Sequence, residues 1–342
     1  MASYDQSSGP SHIGEMVESY KVSPQDRAQK HKEMACVPLI DLDGLCDPSR
    51  RPIVVEEIAN ACRLYGFFQV INHGIREPIL NEALSVATDF FNLPTQDKAR
   101  LMSNNVYEPV RYCTTIKDGL DPIQYRRNFL KHYANPLHDW IKLWPNNPSD
   151  YRQKMGDYAK AMQELYVKIM EAITESLGLG SSYLSTELNQ GMQVMAINCY
   201  PPCPEPERLS LGLPPHSDYT CLTILHQDSF GLEILGFEDE AWKGIPVIPG
   251  ALQVNVGDHL EILSNGRYKS VVHRAILNSG KQRISIASLH SLGMDVKIGV
   301  AKELVDEHHP SEYKESSFRD FLDFISRNDL GKGCSYHDTI KI

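Results

Sequence analysis

The sequence predicts a mixed α+β chain in which helices flank a sandwich or barrel of short strands. Three observations carry that expectation. The first hundred residues read strand, helix, strand, helix. Beyond about residue 190, short strand patterns follow one another at close, even spacing, broken by Gly, Pro and Asn. Between the two halves, PSDYRQKMGDYAKAMQELYVKIMEAITESLGLG (148–180) keeps helical apolar spacing throughout.

VPLIDLDGL (37–45) alternates and ends in turn residues, as a short strand does. RRPIVVEEIANACRLYGF (50–67) has the apolar spacing of a helix and stops at Gly66. FFQVINHGI (67–75) is a β-branched and aromatic strand, and EPILNEALSVATDFFNLP (77–94) is a second amphipathic helix closed by Pro94. From 103 to 148 the periodicity dissolves into an irregular stretch holding Tyr107, Tyr112, Tyr125, Phe129, Tyr133 and Trp140. A long irregular stretch inside a compact enzyme is usually functional. The helix over 148–180 has Ser149 as its expected N-cap and Gly178 or Gly180 at its end. Strand patterns then run from MQVMAINCY to DVKIGV, and FRDFLDFISRN (318–328) is a last helix before a polar tail. The expected division is an arm at 1–34, a helical and strand region at 35–190, a catalytic core at 191–295 and a covering segment at 296–342.

The chain has 342 residues, 42% of them hydrophobic, so it can bury a full core, and its net charge is −10. An acidic surface without a Lys/Arg cluster repels polyanions, which excludes nucleic acid and an anionic membrane as expected partners. No apolar run approaches the roughly 18 residues needed to span a bilayer. Eight scattered cysteines, several inside apolar runs, fit reduced thiols in a cytosol. The expectation is a cytoplasmic protein acting on a small molecule, with monomer as the default state.

The chemistry centres on PPHSDYTCLTILHQD (214–228). His216 and Asp218 are two residues apart in an extended pattern, so they share a face. A third metal ligand must come from another strand. His226 lies further along the same pattern, about 30 Å away on the strand axis. His259 falls in a Gly-Asp-His turn, and His290 follows the last regular strand. His273, within YKSVVHRAI, reads as central to a strand, where it is either a hydrogen-bonded core group or a ligand. Two histidines and one carboxylate on one side of an octahedral metal suit a non-haem Fe(II) oxygenase, with positions left open. Arg283 and Ser285 alternate in RISIAS and share a face. A guanidinium fork beside a hydroxyl suits a carboxylate, unless an internal acid neutralises it. Asn198 and Tyr200 likewise share a face of AINCYPP.

With those residues in place, the sequence resembles the 2-oxoglutarate- and Fe(II)-dependent dioxygenases of plant specialised and hormone metabolism, including flavanone 3-dioxygenase-like and downy-mildew-resistance-like oxygenases. The resemblance runs from VPLIDL to RISIASLH, through YGFFQVINHGI, NCYPPCP, LPPHSD, LTILHQD, PGALQVNVGD and SNGRYKSVVHR. It implies a double-stranded β-helix, or jelly roll, flanked by helices. It implies His216, Asp218 and His273 as iron ligands and catalytic centre. Arg283 and Ser285, with Tyr200 and Asn198 nearby, would hold 2-oxoglutarate. Fe(II), O2 and ascorbate as reductant complete the expected set. The implied reaction couples decarboxylation of 2-oxoglutarate to succinate and CO2 with hydroxylation or desaturation of a small metabolite, such as a flavonoid, phenolic, terpenoid or alkaloid. Tyr107, Tyr112, Phe129, Tyr133, Leu289 and His290 are the expected substrate contacts. Two alternatives stay open: an ascorbate-using oxidase of a cyclopropane amino acid, and a catalytically silent binding protein of the same fold. A zinc hydrolase would leave Arg283 and Ser285 without a role.

Overall fold

The computed structural model describes residues 33–113, 126–202, 211–328 and 336–342. Most of the expected N-terminal arm, and Tyr125, lie outside the described residues. The strands are β1 (Leu39–Asp41), β2 (Phe67–Ile71), β3 (Val110–Cys113), β4 (Asn128–Asn135), β5 (Gln193–Tyr200) and β6 (Leu211–His216). They continue with β7 (Leu222–Gln227), β8 (Leu232–Leu235), β9 (Trp242–Gly244), β10 (Leu252–Val256), β11 (His273–Ile276) and β12 (Arg283–His290). They form an eight-stranded sheet in the order β1-β2-β10-β7-β12-β5-β4-β3 and a four-stranded sheet in the order β6-β11-β8-β9. Apart from the parallel β1–β2 pair, the ladders are antiparallel. This is the expected jelly-roll core.

The large sheet is buried on both faces. One face carries Val70, Leu130, Met195, Ile197, Ile224, Val254, Ile284 and Ile286 into the main hydrophobic cluster. Helices α1 (Arg51–Leu64), α2 (Glu77–Asn92) and α3 (Tyr151–Ser176) cover that face. In α3 the residues Met155, Tyr158, Met162, Leu165 and Ile169 recur at helical spacing and are all buried. The other face meets the small sheet through Phe67, Leu225, Leu232, Ile234, Ile245 and Val271. Strand alternation therefore sorts each large-sheet residue either to the helices or to the gap between the sheets.

Four local expectations change. The stretch read as irregular contains β3 and β4, which extend the large sheet: Tyr112 pairs with Leu130 and Phe129 with Asn198. β3 is only four residues long, and β4 mixes Lys131 and His132 with its aromatics, which hides its alternation. The residue before α3 is Asp150 rather than Ser149, and no side-chain cap forms; Lys154 pairs with Asp150 at 2.6 Å instead. Gly178, with φ of 79°, closes that helix as expected. His273 opens its strand rather than sitting mid-strand, and His226 lies on β7, in a different sheet from His216.

Two polar clusters tie the small sheet and the chain end in place. Arg274 on β11 and Glu233 on β8 are direct cross-strand partners, with Nε donating to Oε2 at 2.8 Å, and the guanidinium lies 4.0 Å from the Trp242 ring centroid. Helices α4 (Asp258–Leu263), α5 (Phe318–Arg327) and α6 (Tyr336–Ile340) follow the β7–β10 region. His337 on α6 reaches Glu261 of α4, Nε2 to Oε1 at 3.2 Å, with Asp258 more loosely placed at 3.5 Å. Tyr313 and the Ser270 amide donate to the same Glu261 carboxylate, each at 2.7 Å. Burial opposes a charge on His337, but the two carboxylates outweigh it and push its pKa up to about 9.

Two outcomes follow. Glu233→Ala takes the carboxylate from the buried Arg274 guanidinium, and a loss of about 3–5 kcal/mol is expected in denaturant unfolding. The His337 pair stabilises fully below its unfolded pKa of about 6.5. Its contribution is lost as pH climbs through about 9. Limited proteolysis of the C-terminus should therefore accelerate between pH 7 and roughly pH 10 in the wild type, and His337→Ala should flatten that dependence.

Candidate active site

The gap between the sheets holds a cavity of about 180 Å3. On the small-sheet side, His216 ends β6 and His273 begins β11, and the two are direct partners across antiparallel strands. Their ring centroids are 4.3 Å apart. Each ring is anchored by the carbonyl two residues earlier: His216 Nδ1 to Pro214 at 2.9 Å and His273 Nδ1 to Val271 at 3.2 Å. A carbonyl only accepts, so Nδ1 carries the proton and Nε2 keeps its lone pair. Both Nε2 atoms face Asp218 Oδ1, at 3.7 and 3.8 Å. One ligand atom from each of the three residues lies within 4.8 Å of the others.

Asp218 is the better buried member of the three. Its Oδ2 accepts from Thr223 Oγ1 at 2.6 Å and from Asn255 Nδ2 at 3.0 Å, which turns Oδ1 toward the histidines. Burial would raise the pKa of this carboxyl, but His273, His216 and the two donors hold it below the usual range. Burial, joined by the neighbouring His273, pulls His216 down to about 4. A carboxylate and two lone pairs turned to one point suit a divalent metal of the hard-to-borderline kind.

The large sheet supplies the opposite wall. Arg283 pairs with Tyr200, and Ser285 with Asn198, across β12 and β5. Arg283 Nε donates to the Ser229 carbonyl at 3.1 Å and Nη2 to Gln227 Oε1 at 2.6 Å. Both partners are neutral, and among the described residues Arg283 forms no ion pair. Its Nη1 is buried without a hydrogen-bond partner, as is Asn198 Oδ1. Asp228 attracts the arginine without pairing with it, so no internal acid among the described residues closes an ion pair on this guanidinium. Space for these groups comes from two glycines. A Cβ on Gly231 would stand 2.7 Å from Arg283 Cδ, and one on Gly212 would collide with the Tyr200 ring.

Of the expected substrate contacts, Leu289 lines the cavity. His290, its neighbour on β12, points to the helices, where it bonds Ser288 and Gln163 and stacks 4.5 Å from Tyr166. Adjacent strand residues face opposite ways, so the two could not both reach one site. Tyr112 also faces the helices, packed on Phe90 and Phe91. Phe129 and Tyr133 lie on the inner face of β4 but outside the cavity wall. The Tyr107 hydroxyl donates to Asp323 on α5 at 2.8 Å, pinning its loop to that helix. Phe67, Arg127, Thr223 and Asn255 line the cavity and were not singled out from the sequence. An Asn inside LQVNV and an alternating Arg127, Phe129, Lys131 were the available signals.

Known proteins match along most of the chain. Residues 191–291 match the 2OG-Fe(II) oxygenase superfamily, and residues 37–147 match the N-terminal region described as non-haem dioxygenase in morphine synthesis. The chain is 52% identical to 2-oxoglutarate-dependent dioxygenase 21, chloroplastic, of Oryza sativa subsp. japonica, covering 90% of this chain and 91% of that one. The protein belongs to the 2OG-Fe(II) oxygenase superfamily. Flavanone 3-dioxygenase 3 of the same plant is 46% identical, covering 85% and 89% of the two chains. Among solved structures, JOX2 in complex with 2OG, Fe and JA is 31% identical, with a TM-score of 0.77 and 92% of each chain covered.

This 2OG-Fe(II) oxygenase is an oxidoreductase that uses Fe(II) and 2-oxoglutarate, and the cavity offers three converging ligand atoms and an unpartnered guanidinium nitrogen, groups of the kind each would need. When bound, the iron supplies oxygen activation. The protein's own contribution is to orient Oδ1 through Thr223 and Asn255, and to present a free guanidinium edge opposite. Removing either donor frees the carboxylate to rotate. Thr223→Val and Asn255→Ala should each weaken Fe(II) affinity about 10–100-fold, measured by metal titration.

Proposed function

We propose that His216, Asp218 and His273 hold the Fe(II), and that Arg283, Ser285 and Tyr200, with Asn198 beside them, hold the distal carboxylate of 2-oxoglutarate. The carrying observation is the pair of unfilled valences at the two ends of one cavity: three ligand atoms within 4.8 Å, and the orphaned Arg283 Nη1. A buried cation with neutral partners is costly until an anion joins it. Binding of 2-oxoglutarate across the gap satisfies both ends. It leaves substrate to enter past Leu289, Leu213 and Phe67, which make the remaining wall apolar.

On this reading the enzyme hydroxylates or desaturates a small plant metabolite with an apolar body, with ascorbate keeping the metal reduced. It acts as a monomer in the cytoplasm without nucleic-acid or membrane partners. No helix among the described residues is long and apolar enough to cross a membrane. The 2-oxoglutarate grip favours this reaction over the ascorbate-using oxidase, which has no need of a dicarboxylate.

The test is succinate release from 2-oxoglutarate by the Fe(II)-loaded enzyme against a panel of metabolites. His216→Ala, Asp218→Ala and His273→Ala should lose metal and turnover together. Arg283→Ala should keep the metal and raise the 2-oxoglutarate requirement by at least about tenfold, the value of one charge-assisted hydrogen bond. Unchanged turnover in all four variants would refute the assignment.

A further inference from the structure

A second arginine faces the cavity, and 2-oxoglutarate does not account for it. Asn128 pairs with Cys199 in the β4–β5 ladder, so Arg127, one residue outside β4, stands opposite Tyr200. Arg283 is opposite Tyr200 on the other side. Two guanidinium groups thus flank one tyrosine hydroxyl, which lies close to both. Arg127 lines the cavity, its Nε is buried without a partner, and its guanidinium lies 4.4 Å from the Phe129 ring centroid. Among the described residues no carboxylate pairs with it.

Charge counting sharpens the point. A divalent metal, the Asp218 carboxylate and two neutral imidazoles leave one positive charge, and Arg283 adds another. The two carboxylates of 2-oxoglutarate cancel both. Asp228 also attracts Arg283 without pairing with it, but Arg127 has no carboxylate beside it among the described residues, in an otherwise acidic protein of net charge −10. Lys131 is next along the inner face of β4, where burial and the neighbouring Arg111 pull its pKa down to about 7, and Arg111, its cross-strand partner, lies 5.2 Å from the Phe129 ring centroid. A desolvated guanidinium beside an aromatic ring selects a planar anion attached to an apolar body.

Building on the iron and 2-oxoglutarate assignment above, we propose that Arg127 binds a carboxylate of the substrate to be oxidised, so that the enzyme acts on small organic acids with an aromatic or alicyclic body. Phe129 covers one face of the guanidinium, and Phe67, Leu213, Leu225 and Leu289 provide the apolar surface for the rest. The acid is anchored at Arg127, leaving Tyr200 and Arg283 to the co-substrate, and its apolar body lies along the apolar lining of the cavity. Arg127 sets specificity and takes no part in proton transfer.

The experiment uses the full chain loaded with Fe(II) and saturating 2-oxoglutarate under nitrogen. Cinnamate and methyl cinnamate serve as the probe pair, with binding read from perturbation of the visible Fe(II)·2-oxoglutarate absorption band and from calorimetry. Wild type should bind the acid at least about tenfold more tightly than the ester. Arg127→Gln should abolish that preference while its 2-oxoglutarate dissociation constant stays within about twofold; Arg127→Lys should keep part of the preference. Equal affinity for acid and ester in the wild type, or no binding of either, overturns the proposal. So does a preference that survives in Arg127→Gln, or an Arg127→Gln variant whose lost affinity is for 2-oxoglutarate. The absorption band separates the two levels of failure: if it does not form in the wild type the iron and co-substrate assignment falls, whereas a normal band with no acid preference sinks only the role of Arg127.

Discussion

One carboxylate joins the two sheets at the centre of this molecule. Asp218 lies two residues past the end of β6 in the small sheet, yet its Oδ2 is held by Thr223 on β7 and Asn255 on β10, both in the large sheet. Those two bonds set the direction of Oδ1, and with it the point on which the imidazoles of His216 and His273 converge. The bonds also lie in a buried setting, where a misplaced charge is expensive and a satisfied one is rigid. The convergence of the three ligand atoms and the separation of the sheets are therefore one constraint.

The cross-strand registers do the remaining positioning. His216 opposite His273 brings two rings together without any long-range loop, and backbone carbonyls choose the tautomer for both. Tyr200 opposite Arg283 and Asn198 opposite Ser285 build the far wall in the same way. Each functional pair sits in a ladder, so the site inherits the stiffness of the sheet.

Much of this was legible in the chain, and what escaped did so for physical reasons. His216 and Asp218, two apart, and Arg283 and Ser285, two apart, announce shared faces through strand periodicity alone. His273 needed its context, because a lone histidine among apolar residues also fits a core, as His290 and His132 do here. Leu289 and His290 were both expected at the site, yet consecutive strand residues diverge. Tyr112 failed for the complementary reason: its strand was not recognised, so its face was unreadable. Arg127 lay in that same overlooked stretch, where RRNFLKHY mixes charge with aromatics and hides its alternation. Thr223 and Asn255 are ordinary polar residues until folding puts them beside a carboxylate.

Gly212 and Gly231 give the far wall a property that no side chain supplies. Each leaves a void that a neighbouring functional group fills: the Tyr200 ring in one case, the Arg283 stem in the other. The depth of the cavity is thus written into bare main chain on the small-sheet side. Lengthening or shortening the reach of the arginine would require moving a strand, a far larger change than exchanging a residue. The reach of that guanidinium is in this sense a fixed gauge of the scaffold, while the rim around Leu289 and Phe67 is free to be retuned by ordinary substitution.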